Sequence, residues 1–183
     1  MEILGLSGSL RRDSYNTLLL AGARKLLPAG VRFTSFEQLA EIPPYSEDSE
    51  SPAPPAVAAH WAALGRADAV LLSTPEYNGS IPGQLKNALD WVSRPVAETP
   101  LRGKPAAVIG ASTGMFGAVW AQAELRKVLA TIGARVVDRE LPIALADESL
   151  ASDGLPLDRD AREALSATLD ELFELAAGER LAA

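Results

Sequence analysis

The sequence predicts an α/β fold in which a parallel β-sheet carries helices on both faces. Two observations predict it. Short apolar runs alternate with stretches of helical periodicity along the 183 residues, the pattern of repeated β-α units. One run, Asp68-Ala-Val-Leu-Leu-Ser-Thr74, is apolar almost throughout, as a strand buried on both faces must be.

The elements follow in order. Residues 3–7 (Ile-Leu-Gly-Leu-Ser) form a buried strand stopped by Gly8 and Ser9. Residues 14–27 place Tyr15, Leu18, Leu19, Gly22, Ala23 and Leu26 on one helical face, and Pro28 and Gly30 end that helix. Residues 31–36 are a second strand with Val31, Phe33 and Ser35 on one face. Residues 37–55 hold five acids, no base and five prolines, a long loop for a compact domain. It reads first as a solvated surface loop, and alternatively as a flap or subunit-contact segment beside a ligand. Residues 56–65 form a helix ending at Gly65, and its His60 reads as solvent-facing. The 68–74 strand leads through a loop, 75–82, to a helix over 83–93 with Leu85, Ala88, Leu89 and Val92 on one face. A strand at 105–111, a helix at 117–132, a short strand at 135–138 and a helix at 158–177 complete the chain. Five strands favour the flavodoxin-like order 2-1-3-4-5, a three-layer sandwich, over a six-stranded Rossmann sheet. No linker divides the chain, so residues 1–183 are expected to be a single domain.

Composition narrows the function. Apolar residues make up 48% and charged residues 22%, as in ordinary globular proteins. A net charge of −7 argues against nucleic-acid or acidic-membrane partners. The absence of cysteine removes disulfides, thiolate nucleophiles, zinc–thiolate sites and iron–sulfur clusters. A single histidine removes a histidine-rich metal site, and no metal is expected. The N-terminus has no signal-peptide pattern, and no apolar run approaches the ~20 residues of a membrane span. A cytoplasmic location is expected.

Ligands of such sheets bind beyond the carboxyl ends of the strands, near the switch in strand order. That directs attention to three loops. The first, Ser7-Gly-Ser-Leu-Arg-Arg-Asp-Ser-Tyr-Asn16, brings hydroxyls, an arginine fork and backbone N–H groups to a helix N-terminus, the ingredients of a phosphate site. It matches neither G-x-G-x-x-G nor the lysine-containing P-loop, so a phosphate monoester suits it best. The plainer alternative is a hydrophilic turn capped by Ser14. The second loop, Thr74-Pro-Glu-Tyr-Asn-Gly-Ser-Ile-Pro-Gly83, is stiffened by two prolines, and its two glycines permit unusual backbone angles. It suits the edge of a planar heterocycle, with Tyr77 as an aromatic wall; otherwise it is a structural turn. The third, Gly110-Ala-Ser-Thr-Gly-Met-Phe-Gly117, has small residues that admit a ligand close to the backbone. It also matches the G-x-S-x-G nucleophile elbow. No histidine follows Ser112, so a serine triad would lack its base. With no convincing nucleophile, acid–base pair or metal cluster, the three loops point to a cofactor that performs the chemistry.

Four segments then carry a resemblance: Gly8 to Asn16, Ile42-Pro-Pro-Tyr-Ser-Glu-Asp48, Gly110 to Gly117, and above all Pro75-Glu-Tyr-Asn-Gly-Ser-Ile-Pro-Gly-Gln-Leu-Lys-Asn-Ala-Leu-Asp-Trp91. Together they resemble the NADPH-dependent FMN reductases, a group that includes chromate and quinone reductases and some azoreductases. The resemblance implies non-covalent FMN, NAD(P)H as co-substrate, a ping-pong cycle, and small acceptors such as quinones, chromate, azo compounds or free flavin. It implies a homodimer or homotetramer, for which Trp61, Trp91 and Trp120 are candidate anchors, although Trp91 suits the core equally. Carried over by position, Ser9, Arg11, Ser14 and Asn16 hold the FMN phosphate, with Leu10 and Tyr15 in the same loop. Main-chain groups of Pro75, Glu76, Tyr77 and Asn78, with Gly79, edge the isoalloxazine, and Ser112, Thr113 and Gly114 close the far side. No residue is assigned a catalytic role, because the flavin carries the chemistry. The competing expectation is a flavodoxin-type carrier that binds FMN without turning over NAD(P)H.

Overall fold

A computed structural model describes residues 1–182, with side chains described through residue 178. The chain runs β1 (Glu2–Ser7), α1 (Tyr15–Lys25), β2 (Arg32–Ser35), α2 (Pro55–Arg66), β3 (Ala69–Thr74), α3 (Gly83–Val92), β4 (Pro105–Ala111), α4 (Val119–Ile132), β5 (Arg135–Val136), β6 (Pro142–Ile143), α5 (Ala146–Ser149) and α6 (Arg159–Ala182). All strand pairs are parallel, in the order β2-β1-β3-β4-β5. This is the flavodoxin-like order.

The fifth position differs from expectation. β5 pairs with Pro105 and Ala106 at the start of β4, and β6 pairs with Gly110 and Ala111 at its end. The strand predicted at 135–138 is only the two-residue β5, and β6, outside that range, is a further short strand on the same edge of β4, so the described sheet has six strands in five positions. A two-residue strand is too short to show an alternating pattern, which hid β6 from sequence reasoning.

Alternation along the strands sends side chains to opposite faces. Leu4, Leu6, Val70, Leu72 and Val108 pack with Val57, Leu64, Leu85, Leu89, Leu125 and Leu129 of α2, α3 and α4. Ile3, Leu71, Ala107 and Ile109 pack with Leu19, Leu20, Leu165, Leu169 and Leu172 of α1 and α6. β3 and β4 are buried along their whole length, as the apolar 68–74 run requires.

Two expectations are corrected here. His60 does not face solvent: it is 0% exposed, and its ring lies 4.7 Å from that of Phe36. The buried face of α2 comprises Ala56, Val57, His60, Ala63 and Leu64, so the histidine occupies a core position of the helix. Neither ring nitrogen has a hydrogen-bond partner, and burial lowers its pKa from 6.5 to about 4. The reading of 37–55 as a solvated loop fails for its first half. Leu39 and Ile42 are buried, and α3 straps the segment down. Gln84 Nε2 donates to the carbonyls of Leu39 and Ile42 (2.7 and 2.8 Å). Asn87 Nδ2 and Trp91 Nε1 both donate to the Pro43 carbonyl (2.8 Å each). The Tyr45 N–H donates back to Asn87 Oδ1 (2.8 Å). Positions 84, 87 and 91 share one helical face, so a single stripe of α3 satisfies this irregular backbone. Residues 47–53 remain exposed.

Candidate functional site

Three strand ends meet at one edge of the sheet. Ser7 is in register with Ser73, and Thr74 with Gly110, so the loops after β1, β3 and β4 leave neighbouring strands side by side, ~4.8 Å apart. The Gly8 N–H donates to the Ser73 carbonyl at 2.8 Å. Asn16 ties all three together. Its Oδ1 accepts from Ser73 Oγ (2.9 Å) and the Ala111 N–H (3.0 Å), and its Nδ2 donates to the Ala111 carbonyl (2.9 Å). It is 3% exposed. Its side chain is therefore engaged in the interior, a different placement from the phosphate contact expected of it.

In the first loop, Ser14 is the N-cap of α1, its Oγ accepting from the Asn16 and Thr17 N–H groups (3.2 and 3.4 Å). The first turn of α1 contains no acid, which leaves its positive end available to an anion. Ser9 Oγ accepts from the Arg11 N–H at 3.4 Å. Leu10 and Arg11 are exposed. The Arg11 guanidinium rests 5.1 Å above the centre of the Tyr15 ring, a cation–π contact that orients it beside the helix terminus.

The second loop is built on a tight hairpin. Tyr77 and Ser80 exchange backbone hydrogen bonds of 3.0 and 3.2 Å. Asn78 and Gly79 between them have φ of 56° and 75°, the left-handed pair that a two-residue hairpin demands and Asn-Gly supplies. Tyr77, beside the turn, stands exposed. Below it, Thr74 Oγ1 donates to the Pro75 carbonyl (2.8 Å). Glu76 does something its sequence position did not announce. Its Oε2 accepts from the N–H groups of Trp120 and Ala121, at 3.0 and 3.1 Å, in the first turn of α4.

The third loop is held by backbone and small side chains. Ser112 Oγ accepts from the Gly114 N–H (3.1 Å), the Ser112 N–H donates to Ile143 O (3.0 Å), and the Leu145 N–H donates to Gly114 O (3.1 Å). Thr113 and Gly114 are exposed. With His60 buried in α2 against Phe36, Ser112 has no histidine to activate it. Gln122, fully buried, donates to the carbonyls of Gly117 and Leu141 (3.0 and 3.1 Å) and accepts from the Leu141 N–H (3.1 Å). It fastens this loop to the chain between β5 and β6. Sequence reasoning missed Gln122, Gln84, Asn87 and the Glu76 side chain. The available signal was a polar residue on a core-facing helical position, such as Gln122 beside Ala121 and Leu125.

The rim is apolar. Of eight large hydrophobic side chains exposed among the described residues, Leu10, Tyr77, Met115, Phe116, Trp120 and Leu145 lie on these loops or just beyond them. The Phe116 and Trp120 rings lie 4.9 Å apart. A cavity of about 360 Å³ opens beside Ser7, Ser9 and Thr17 at the foot of the first loop. A larger one, about 640 Å³ between Trp61 and Trp91, lies away from the three loops. An anion-attracting helix end, a rigid hairpin and an apolar rim fit a ligand with a phosphate at one end and a flat aromatic body at the other.

The chain matches the NADPH-dependent FMN reductase family over residues 1–148. It is 42% identical over 174 residues to an NAD(P)H-dependent FMN reductase of Pseudomonas aeruginosa, covering 94% of this chain and 93% of that protein. It is 38% identical over 172 residues to a 2-hydroxy-1,4-benzoquinone reductase of Burkholderia sp, covering 93% of each. Among solved structures it is similar to FerB, a flavoenzyme NAD(P)H:(acceptor) oxidoreductase from Paracoccus denitrificans, with a TM-score of 0.84, 35% identity and 97% coverage of both chains.

Proposed function

The chain belongs to the NADPH-dependent FMN reductase family, an oxidoreductase family with FMN as cofactor and NAD(P)H as reductant, and from that premise we propose that it reduces quinones and similar small acceptors in a ping-pong order. FMN held by the three loops would supply the redox chemistry between NAD(P)H and the acceptor. The protein's share is placement and electrostatics. Ser9, Arg11 and Ser14 hold the phosphate at the α1 terminus, with Leu10 and Tyr15 shaping the loop and Tyr15 carrying the Arg11 guanidinium. Asn16 acts one layer deeper, fixing the loop to β3 and β4. Main-chain groups of Pro75, Glu76, Tyr77, Asn78 and Gly79 edge the ring system, and Ser112, Thr113 and Gly114 close its far side. Backbone N–H groups of the second loop would stabilise negative charge on a ring held beside them, as an oxyanion hole does.

The observation that carries this reading is the convergence of the three loops beside the N-terminus of α1, whose first turn holds no acid. A single open face bordered by Tyr77, Met115 and Phe116 serves hydride donor and acceptor alternately. The same apolar rim supports a homodimer or homotetramer. Residues 1–183 read as one domain, because α6, beyond the family match, packs into the core of β1, β3 and β4. No described helix is long and apolar enough to cross a membrane, and a cytoplasmic site of action is proposed. Initial rates at varied NADPH and 1,4-benzoquinone test the order of events. Parallel double-reciprocal lines are expected; intersecting lines contradict alternate use of one face.

A further inference from the structure

We infer that Glu76 is a positioning residue whose carboxylate pins the ring-edging hairpin to the opposite wall of the cleft, an inference that rests on the flavin site proposed above. The hairpin Tyr77–Ser80 follows β3, and the wall formed by Met115, Phe116 and Trp120 follows β4. Glu76 Oε2 spans the gap by accepting two N–H groups from residues 44 and 45 positions further along the chain.

Helix α4 needs that carboxylate. Its N-cap is Ala118, a residue with no side-chain acceptor, and its first turn contains no acid. The leading N–H groups of a helix have no partner of their own, and a serine, threonine or aspartate at the cap usually provides one. Here the acceptor comes from a different loop. The backbone entering α4 is also constrained: Gly117 and Ala118 are consecutive left-handed residues, with φ of 57° and 61°, and Ala118 is 1% exposed. Non-glycine residues hold that conformation only when their surroundings enforce it. Gln122 holds the Gly117 carbonyl from inside, and Glu76 holds the following turn from the cleft side. A negative charge at this point also complements the positive end of α4. The residue before the hairpin and the first turn of α4 are therefore joined before any ligand arrives.

The test compares Glu76→Ala with Glu76→Gln. The glutamine amide oxygen can accept the same two N–H groups, so it retains the pin. In Glu76→Ala, the Trp120 and Ala121 amides of the FMN-free protein are expected to exchange hydrogen at least about tenfold faster, and FMN to bind about tenfold more weakly by fluorescence titration, the scale of one lost charge-assisted hydrogen bond. In Glu76→Gln both values are expected within about threefold of the parent. A cooperative thermal melt in both variants verifies folding. Wild-type FMN affinity in Glu76→Ala overturns the inference, and so does a glutamine variant as impaired as the alanine one. A parent protein that refuses FMN overturns the flavin site itself, and the amide exchange rates still decide whether the pin exists.

Discussion

The imidazole of His60 sits where water does not reach, with Phe36 against its ring and no partner for either nitrogen. Burial lowers its pKa from 6.5 to about 4, so between those values the unfolded chain binds a proton that the folded chain does not. Stability is unaffected by this residue above pH 6.5 and falls as pH drops toward 4, at about 1.4 kcal/mol per unit and roughly 3 kcal/mol in all. His60→Leu should flatten that part of the profile in urea melts at successive pH values; an unchanged slope contradicts the assignment. Arg11 belongs to the same scale. Its removal is expected to weaken FMN binding by about 1–3 kcal/mol, measured by fluorescence titration, and an unchanged affinity contradicts its phosphate role. These two residues also show the limits of sequence reading. Arg11 could be singled out because a helix start after a strand of this sheet is an anion site by its geometry, and the structure places its guanidinium over Tyr15 at that helix start. His60 was misread because one polar residue on a helix is assigned to the wet face unless the full stripe is traced, and its stripe includes Ala56, Val57, Ala63 and Leu64.

At the scale of elements, α3 does more than cover the sheet. The stretch Pro75 to Trp91 is specific as a motif, yet its two halves do different work. Gln84, Asn87 and Trp91 supply side-chain hydrogen bonds to residues 39–45. Asn87→Ala removes two of these bonds and is expected to destabilise the fold by about 1–3 kcal/mol and to speed proteolytic cleavage within 43–53. Unchanged cleavage under native conditions contradicts the strap. Strands, helices and their order were readable from apolar spacing because each long element buries a continuous face. Gly79 was readable too: Asn-Gly between Tyr77 and Ser80 names its own turn, and the φ values of 56° and 75° agree with it. The strap, the Glu76 pin and β6 were not readable. Each depends on a side chain or a two-residue strand meeting backbone from a distant segment, and no local periodicity records such a meeting.

For the whole molecule, the division of labour is between a sheet buried on both faces and one working edge. The core holds β1, β3 and β4 in register, and register fixes where three loops emerge. Asn16, Gln122 and Glu76 then lock those loops to one another from below and across. The family match covers residues 1–148, the part that builds this edge, while α6 completes the second face of the core. Everything rests on this edge carrying FMN that NAD(P)H can reduce. Rapid anaerobic mixing of the FMN-loaded protein with NADPH, followed by absorbance near the visible flavin band, tests it most directly. The colour is expected to bleach at a rate that rises with NADPH concentration and to return when benzoquinone is added. A bound flavin that keeps its colour at saturating NADPH and at saturating NADH would mark an electron carrier and contradict the account.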